Sequence, residues 1–407
     1  MISISAPSRW LSILGIGEDG FDGLSPAARR LLMQARLVVG GKRHLDLAGS
    51  LSAGKLAWPS PPVRAFPEIL ARRGTPVCVL ASGDPFFFGI GSLLMRQVPV
   101  EEMLCLPSPS AFSLVAARLG WALQDCALIS LHGRPLQRVV RHLRPGARIV
   151  ALSWDGTTPA QLASLLAERG MGRSVLTVCE SLGGPRERLR QTSAAEFALE
   201  DIDPLNTIAV EIIAEPGARI IPSVTGLSDD WFEHDGQITR REIRAITLAS
   251  LAPRPGERLW DIGAGSGSIS IEWMLRDGSN SAIAIESNRD RTARIARNAV
   301  ALGVPDLTII EGEAPRVLGG LPPPDAIFVG GGATADGVLD AAWTALPSRG
   351  RLVVNAVTIE TQAELTRRFA AQGGDLVSIS LARADAVGGF HGWRPAMPVV
   401  QWSVVKP

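Results

Sequence analysis

The apolar run Leu259-Trp260-Asp261-Ile262 passes through Gly263-Ala264-Gly265-Ser266-Gly267 into the amphipathic stretch Ser268 to Leu275. Glycines at such a turn let backbone approach a ligand closely and leave amides pointing at it, which suits a nucleotide or nucleoside. The following apolar run ends Ala284-Ile285-Glu286. A carboxylate at that strand end can accept both hydroxyl hydrogen bonds of a ribose diol. Alone, Glu286 is an ordinary exposed acid; with the glycine turn it reads as a ribose ligand. The dinucleotide fingerprint wants glycine at the sixth place of GxGxxG, where this chain has Ser268, and its third glycine comes one place early at Gly267. That shift disfavours NAD.

A literal GxGxxG does occur, at Gly15-Ile16-Gly17-Glu18-Asp19-Gly20, but the next apolar run ends Val39-Gly40-Gly41-Lys42 with no acid for a ribose. It is a decoy for dinucleotide binding. Small-residue turns follow instead: Ala81-Ser82-Gly83-Asp84-Pro85, then Phe86 to Gly91, then Pro107-Ser108-Pro109-Ser110-Ala111-Phe112. In Leu131-His132-Gly133-Arg134, Arg134 has the forked donor geometry for a substrate carboxylate, against the plainer readings of a core histidine and a solvated arginine. Near the C-terminus, Asn355, Thr358 and Glu360 follow a strand, and His391, Trp393 and Arg394 sit in a Gly-rich stretch able to cover a substrate, with turn or cap duty as the plain alternative. His44, His132, His142, His234 and His391 are scattered and no GxSxG occurs, which argues against a metal site and serine hydrolysis.

The elements that must position these residues alternate. Leu11 to Ile16, Leu37 to Val39, Val77 to Ala81, Arg148 to Ser153, Val175 to Glu180 and Ile208 to Ala214 read as strands. Pro26 to Ala35, behind the N-cap Ser25, and Ala160 to Arg169 read as helices. Pro216 to Asp230 carries proline, glycine and serine without periodicity and reads as a linker. Behind it, helices are predicted over Ile238 to Leu251, Ser268 to Leu275 and Arg289 to Leu302. Strands are predicted over Arg258 to Ile262, Ser281 to Glu286, Leu307 to Ile310, Ala326 to Val329 and Arg351 to Asn355. The expectation is two α/β domains, 1–215 and 233–407, joined by 216–232, the second with a mostly parallel, doubly wound sheet.

Two resemblances extend this reading. DIGAGSGSISIEW, AIAIESN, GQITRREIRA, EGEAP and VGGG resemble the decarboxylating precorrin methyltransferases from about His234 to Trp402. The resemblance implies a Rossmann-like class I fold holding S-adenosylmethionine at Gly263, Ala264, Gly265, Ser266, Gly267 and Glu286, with Thr239 and Ala314 at matching positions. On its residues alone, Thr239 reads as a helix N-cap. From Ser12 to Glu215, with GDPFFFGIG as the most specific segment, the chain is similar to the tetrapyrrole methyltransferases of corrin and sirohaem synthesis, a two-lobed α/β fold. That similarity implies a second donor or active site at Gly15, Gly17, Gly83, Asp84, Gly89, Ile90, Ser108, Ser110 and Ala111, with His132 and Arg134 nearby.

Together the resemblances imply methylation of a precorrin, a polycarboxylate tetrapyrrole, at two meso carbons (C5 and C15), with decarboxylation of one acetate arm. Methyl transfer asks little of side chains beyond in-line alignment. Decarboxylation needs an electron sink, which a conjugated tetrapyrrole supplies itself. Catalytic candidates are Asn355, Thr358, Glu360, His391 and Arg394 in the second half, and His132 and Arg134 in the first. An NAD-dependent dehydrogenase or a non-catalytic tetrapyrrole carrier are the alternatives.

Composition bounds the rest. At 407 residues, 46% hydrophobic and 20% charged, the chain is long enough for two full cores. A net charge of +1 and the lack of a basic run with interleaved aromatics argue against nucleic acid. Cys78, Cys105, Cys126 and Cys179 form no CxxC pair, the start lacks a signal-like pattern, and no apolar run is long enough to span a membrane. A reduced, cytoplasmic protein is expected, forming a homo-oligomer as the similar families do.

Overall fold

All six residues of the strand β1 (Leu11–Ile16) are buried, as a continuous apolar run demands when both faces of a parallel sheet are covered. The computed structural model describes residues 9–407; the first eight residues, where the expected first domain begins, lie outside the described residues. β1 joins β2 (Leu37–Gly40), β3 (Gly54–Ala57), β4 (Val77–Ser82) and β5 (Met103–Leu106) in an all-parallel sheet of order β3-β2-β4-β1-β5. A second sheet holds β6 (Cys126–Ser130), β7 (Arg148–Leu152), β8 (Val175–Glu180), β9 (Arg188–Ser193) and β10 (Asn206–Glu211) in the order β6-β7-β10-β8-β9. Only β6 and β7 pair parallel there.

By compactness the chain divides into two units. One runs to Leu136 and from Arg144 to Arg219; the other takes Gln137–Leu143 and Ile220–Pro407. The second unit thus begins inside the segment expected as a linker, and Leu227 and Phe232 are buried in its core.

The second unit's main sheet comprises β11 (Arg258–Ile262), β12 (Ser281–Glu286), β13 (Thr308–Glu311), β14 (Ala326–Val329), β15 (Arg351–Ala356), β16 (Asp375–Ile379) and β19 (Val399–Val405). Its order is β13-β12-β11-β14-β15-β19-β16. β11 to β15 are parallel, while β19 runs antiparallel to β15 and β16. Successive residues pack on opposite faces, as the two-residue period of a strand requires. Leu259, Ala284 and Phe328 enter one core; Trp260, Ile262, Ile285 and Val329 enter the other. The sheet is therefore doubly wound. A separate hairpin, β17 (Ala382–Val387) and β18 (Phe390–Pro395), stands apart as its own two-stranded sheet.

The largest boundary differences from expectation are of three residues. The helix predicted from Ile238 starts at Arg241, because Arg240 has extended backbone (φ −59°, ψ 149°). The strand predicted to Ala214 ends at Glu211, where β7 and β8 also stop pairing. A four-residue helix, Gly20–Gly23, follows the first glycine turn directly. Among the described residues no helix is long and apolar enough to cross a membrane.

Candidate active site

Parallel strands gather their C-terminal ends at one sheet edge, and there the second unit opens a cavity of about 1260 Å³. The volume exceeds the ordinary range of roughly 300 to 1,000 Å³ for a small-molecule site, so a nucleoside leaves room for part of a second ligand. Gly263 and Gly265 turn the chain out of β11 with φ of +71° and +60°. A Cβ on Gly263 would sit 2.7 Å from the Gly331 amide nitrogen, so two backbone turns touch here with no space for side chains. Glu286, at the end of β12, accepts hydrogen bonds from the amides of Gly265 (2.8 Å) and Asn288 (3.0 Å). Each oxygen has one amide partner and a further lone pair, and Arg291 stands 4.0 Å from Oε1. Gly263, Ala264, Gly265, Glu286, Thr239, Ala314, Asn355 and Arg394 line the cavity together.

Below the turn lies a second carboxylate. Asp261 is fully buried; its Oδ2 accepts from the hydroxyl (2.7 Å) and amide (3.1 Å) of Ser270, and its Oδ1 has no partner. Burial pushes its carboxyl up to about 6, against the downward pull of the Ser270 bonds, and nearby Glu286 adds to the rise.

Thr239 is placed by a buried ion pair. Arg244 and Glu272 are both fully buried and meet at 2.6 Å. Glu272 also accepts from the amides of Gly226 (2.7 Å) and Leu227 (3.0 Å). The Arg244 guanidinium reaches the carbonyls of Leu227 and Thr239 and lies 4.8 Å from the centre of the Phe232 ring. These contacts fix the entry to the helix Arg241–Leu251, and with it residues 236–240, which form one wall of the cavity.

Several sequence-predicted residues fall elsewhere. Thr239 is not the helix cap; Arg240 holds that position and makes no side-chain cap bond. Ser266 and Gly267 lie beneath the turn rather than on the cavity wall: Ser266 is buried, and a Cβ on Gly267 would meet Ile295 at 2.7 Å. Thr358 caps the helix Ile359–Gln372 by accepting from the Thr361 amide, Glu360 lies in that helix's first turn, and neither lines the cavity. His391 is exposed on β18, on the hairpin face opposite Arg394. Asn355 does reach the wall, but its amide group is held by Thr247 and Gln401 at 2.9 Å each. The sequence reading missed Gln237, Arg291, Gly332, Arg383 and Asp385 as lining residues.

In the first unit, the turns after β1, β4 and β5 meet at the edge of the parallel sheet. Ser108 donates its amide to the Gly83 carbonyl (3.0 Å) and its hydroxyl to the Gly15 carbonyl (2.8 Å). A Cβ on Gly15 would lie 2.0 Å from the Gly83 oxygen and 2.4 Å from the Ser108 nitrogen. Gly15 is therefore glycine for internal packing. Gly17 is less constrained, since the close contact of a Cβ there, at 2.7 Å, is with the Asp19 side chain rather than backbone. Asp84 accepts from the Phe86 amide at 2.9 Å, a local turn bond. A Cβ on Gly89 would meet the Pro85 oxygen at 2.4 Å, and Ile90 caps the short helix that follows. Phe88, just before Gly89, sits at φ +57°, a costly conformation for a bulky residue and one found where a loop shape matters. Ser110 caps the helix Ala111–Leu119, which begins at Ala111. Arg134 lies over the Phe88 ring at 5.5 Å, bringing the LHGR turn to the GDPFFF loop, and His132 stacks on Trp154. Beside this edge, Ser82 and His44 bond at 2.9 Å with Arg43 against both, and burial pushes His44 down to about 4, leaving it neutral.

Comparison with known proteins follows the same division. A family model described as tetrapyrrole (corrin/porphyrin) methylases matches residues 11–198, and one described as a precorrin methyltransferase domain matches 230–406. A precorrin-6Y C(5,15)-methyltransferase [decarboxylating] from Sinorhizobium sp is 57% identical over 400 residues, covering 98% of this chain and 97% of the relative. The chain belongs to that family. It is accordingly an S-adenosylmethionine-dependent, decarboxylating C-methyltransferase, and neither the dehydrogenase nor the carrier alternative finds support. A second precorrin-6Y C(5,15)-methyltransferase, from Mycobacterium tuberculosis, is 42% identical over 97% of this chain and 99% of its own length. A cobalt-precorrin-7 C(5)-methyltransferase from Salmonella typhimurium is 31% identical over 182 residues, 44% of this chain and 88% of the relative.

Proposed function

We propose that each unit binds its own S-adenosylmethionine, and that the two together convert precorrin-6Y to precorrin-8X in cobalamin biosynthesis. The second unit methylates C15 and releases carbon dioxide from an acetate arm; the first methylates C5. The observation that carries this reading is the joining of Glu286 and the Gly263–Gly265 turn in one cavity with space beyond the nucleoside. Glu286 would hold the ribose, the glycine turn the donor's polar end, and Thr239 and Ala314 the flanking walls. The relative named for C(5) methylation alone matches less than half of the chain, which supports separable activities. In the first unit, Gly17, Asp84, Gly89 and Ile90 shape the donor loop around Gly83, with Arg134 presented toward an acidic substrate.

In the decarboxylation, the bond from the arm's methylene to its carboxyl carbon breaks and its electron pair enters the conjugated macrocycle. Carbon dioxide leaves, the pair comes back from the macrocycle to the methylene carbon, and that carbon takes up a proton from solvent to become a methyl. The protein's part is to hold that arm out of the ring plane and away from water. Self-association and a cytoplasmic location belong to the same reading; light scattering and cell fractionation check them.

The deciding experiment gives residues 1–215 and 216–407, separately and joined, precorrin-6Y or its C15-methylated decarboxylated product with labelled donor. Label uptake and carbon dioxide are followed. The expected outcome is one methyl and carbon dioxide from the second piece, and one methyl without carbon dioxide from the first. Carbon dioxide from the first piece, or one donor bound per full chain, would overturn the division.

A further inference from the structure

Part of the cavity wall is formed by the hairpin β17–β18, whose register places Arg383 directly opposite Arg394. Residues directly opposite in an antiparallel pair share a face, so the two guanidinium groups project from neighbouring points on the cavity side. Each is paired with an acid of the same chain: Arg383 with Glu242 on the helix Arg241–Leu251, and Arg394 with Asp385 at 2.9 Å. The four side chains are 42% to 76% exposed, and pairs so exposed hold weakly and exchange partners readily. Next to the hairpin's base the wall turns apolar, with Ile243, Ile379, Leu381 and Val399 packed together.

Resting on the reading that the second unit takes a polycarboxylate tetrapyrrole, we propose that Arg383 and Arg394 bind a carboxylate arm that the product retains, displacing Glu242 and Asp385. Two planar forks at adjacent positions match a carboxylate's two oxygens better than a point charge does. The arm that leaves as carbon dioxide is excluded by its own chemistry. Its negative charge passes into the macrocycle as the bond breaks, so a cation held on that carboxylate stabilises the ground state more than the transition state. The departing arm belongs against the apolar patch, and the arginines anchor the macrocycle from another arm. They are positioning residues, and Arg383 is one that sequence reading alone did not single out.

The test uses the full chain, its precorrin substrate, and the variants Arg383→Ala, Arg394→Ala and Arg383→Lys. Expected for either alanine variant is a KM for carbon dioxide release raised roughly tenfold to hundredfold, with kcat within about twofold and S-adenosylhomocysteine affinity unchanged. Arg383→Lys should recover part of the loss. With substrate whose arm carboxyls are amidated except that of the departing acetate, wild type and variants should converge on one KM. An unchanged KM, a fall in kcat at constant KM, or a persistent difference on the amidated substrate overturns the proposal. If an alanine variant loses S-adenosylhomocysteine binding through misfolding, Arg383→Lys against wild type decides the matter by the same KM comparison. Failure of wild type to bind S-adenosylhomocysteine at Glu286 would instead overturn the donor-site reading.

Discussion

The two units bring small-residue turns to the C-terminal edge of a parallel sheet by opposite means. In the first, Ser108 locks the Gly15 and Gly83 turns to its own through its hydroxyl and its amide, with no carboxylate bridging them. In the second, the glycine turn is held from the next strand by the carboxylate of Glu286 and overlies a buried one at Asp261. A site made by packing is intolerant of added volume, whereas a site made by carboxylates responds to charge and pH. The two sheet edges therefore differ in how they fail.

Gly15→Ala is the severest way to break the first. Both atoms that its methyl would meet are backbone, so the turns must part, at a cost of about 3 kcal/mol in that unit. C5 methylation should fall below detection while carbon dioxide release continues at the wild-type rate; equal loss of both would show that the units are not independent. The second comparison is in pH. Asp261 has its folded carboxyl raised to about 6 from 3.8, so its proton stabilises the folded second unit. That contribution is fully present below about pH 4 and is lost as pH rises through 6, a change of roughly 3 kcal/mol at 1.36 kcal/mol per unit. Denaturation of wild type and Asp261→Asn from pH 4 to 7 should give curves that diverge by this amount, and parallel curves would refute it. The smallest effect sharpens the contrast most. Glu286→Ala should weaken S-adenosylhomocysteine binding at the second unit by roughly tenfold to hundredfold and leave C5 methylation untouched. Calorimetry showing two unaltered sites would remove Glu286 from the ribose.

Legibility in the sequence tracked burial. β11 and β12 match their predicted bounds because both are central, apolar and closed by glycine or acid. The hairpin was not predicted as strands because both are exposed and the alternating apolar residues of the first, Ala382, Ala384 and Ala386, are small. A signal was present all the same: Val387-Gly388-Gly389-Phe390 is a two-residue Gly-Gly connection, with Gly388 at φ +58°. Missing the hairpin meant missing the pairing of Arg383 with Arg394, since register alone brings them together. Thr358 misled for the converse reason: a hydroxyl at a strand-to-helix turn serves a cap and a ligand with the same atoms, and here the cap takes it.

The tie between Glu272 and the amides of Gly226 and Leu227 reaches beyond the active site. These two residues belong to no helix or strand, yet freeing their amides strands a buried charge pair, an event that costs several kcal/mol. In deuterated solvent both amides should outlast those of the neighbouring exposed loop and exchange only with opening of the whole second unit. A protease has a target just ahead of them, at Val224, which is 65% exposed. A cut there leaves the amides of Gly226 and Leu227 on the same piece as Arg244 and Glu272, so the charge pair stays sealed and carbon dioxide release should survive nicking.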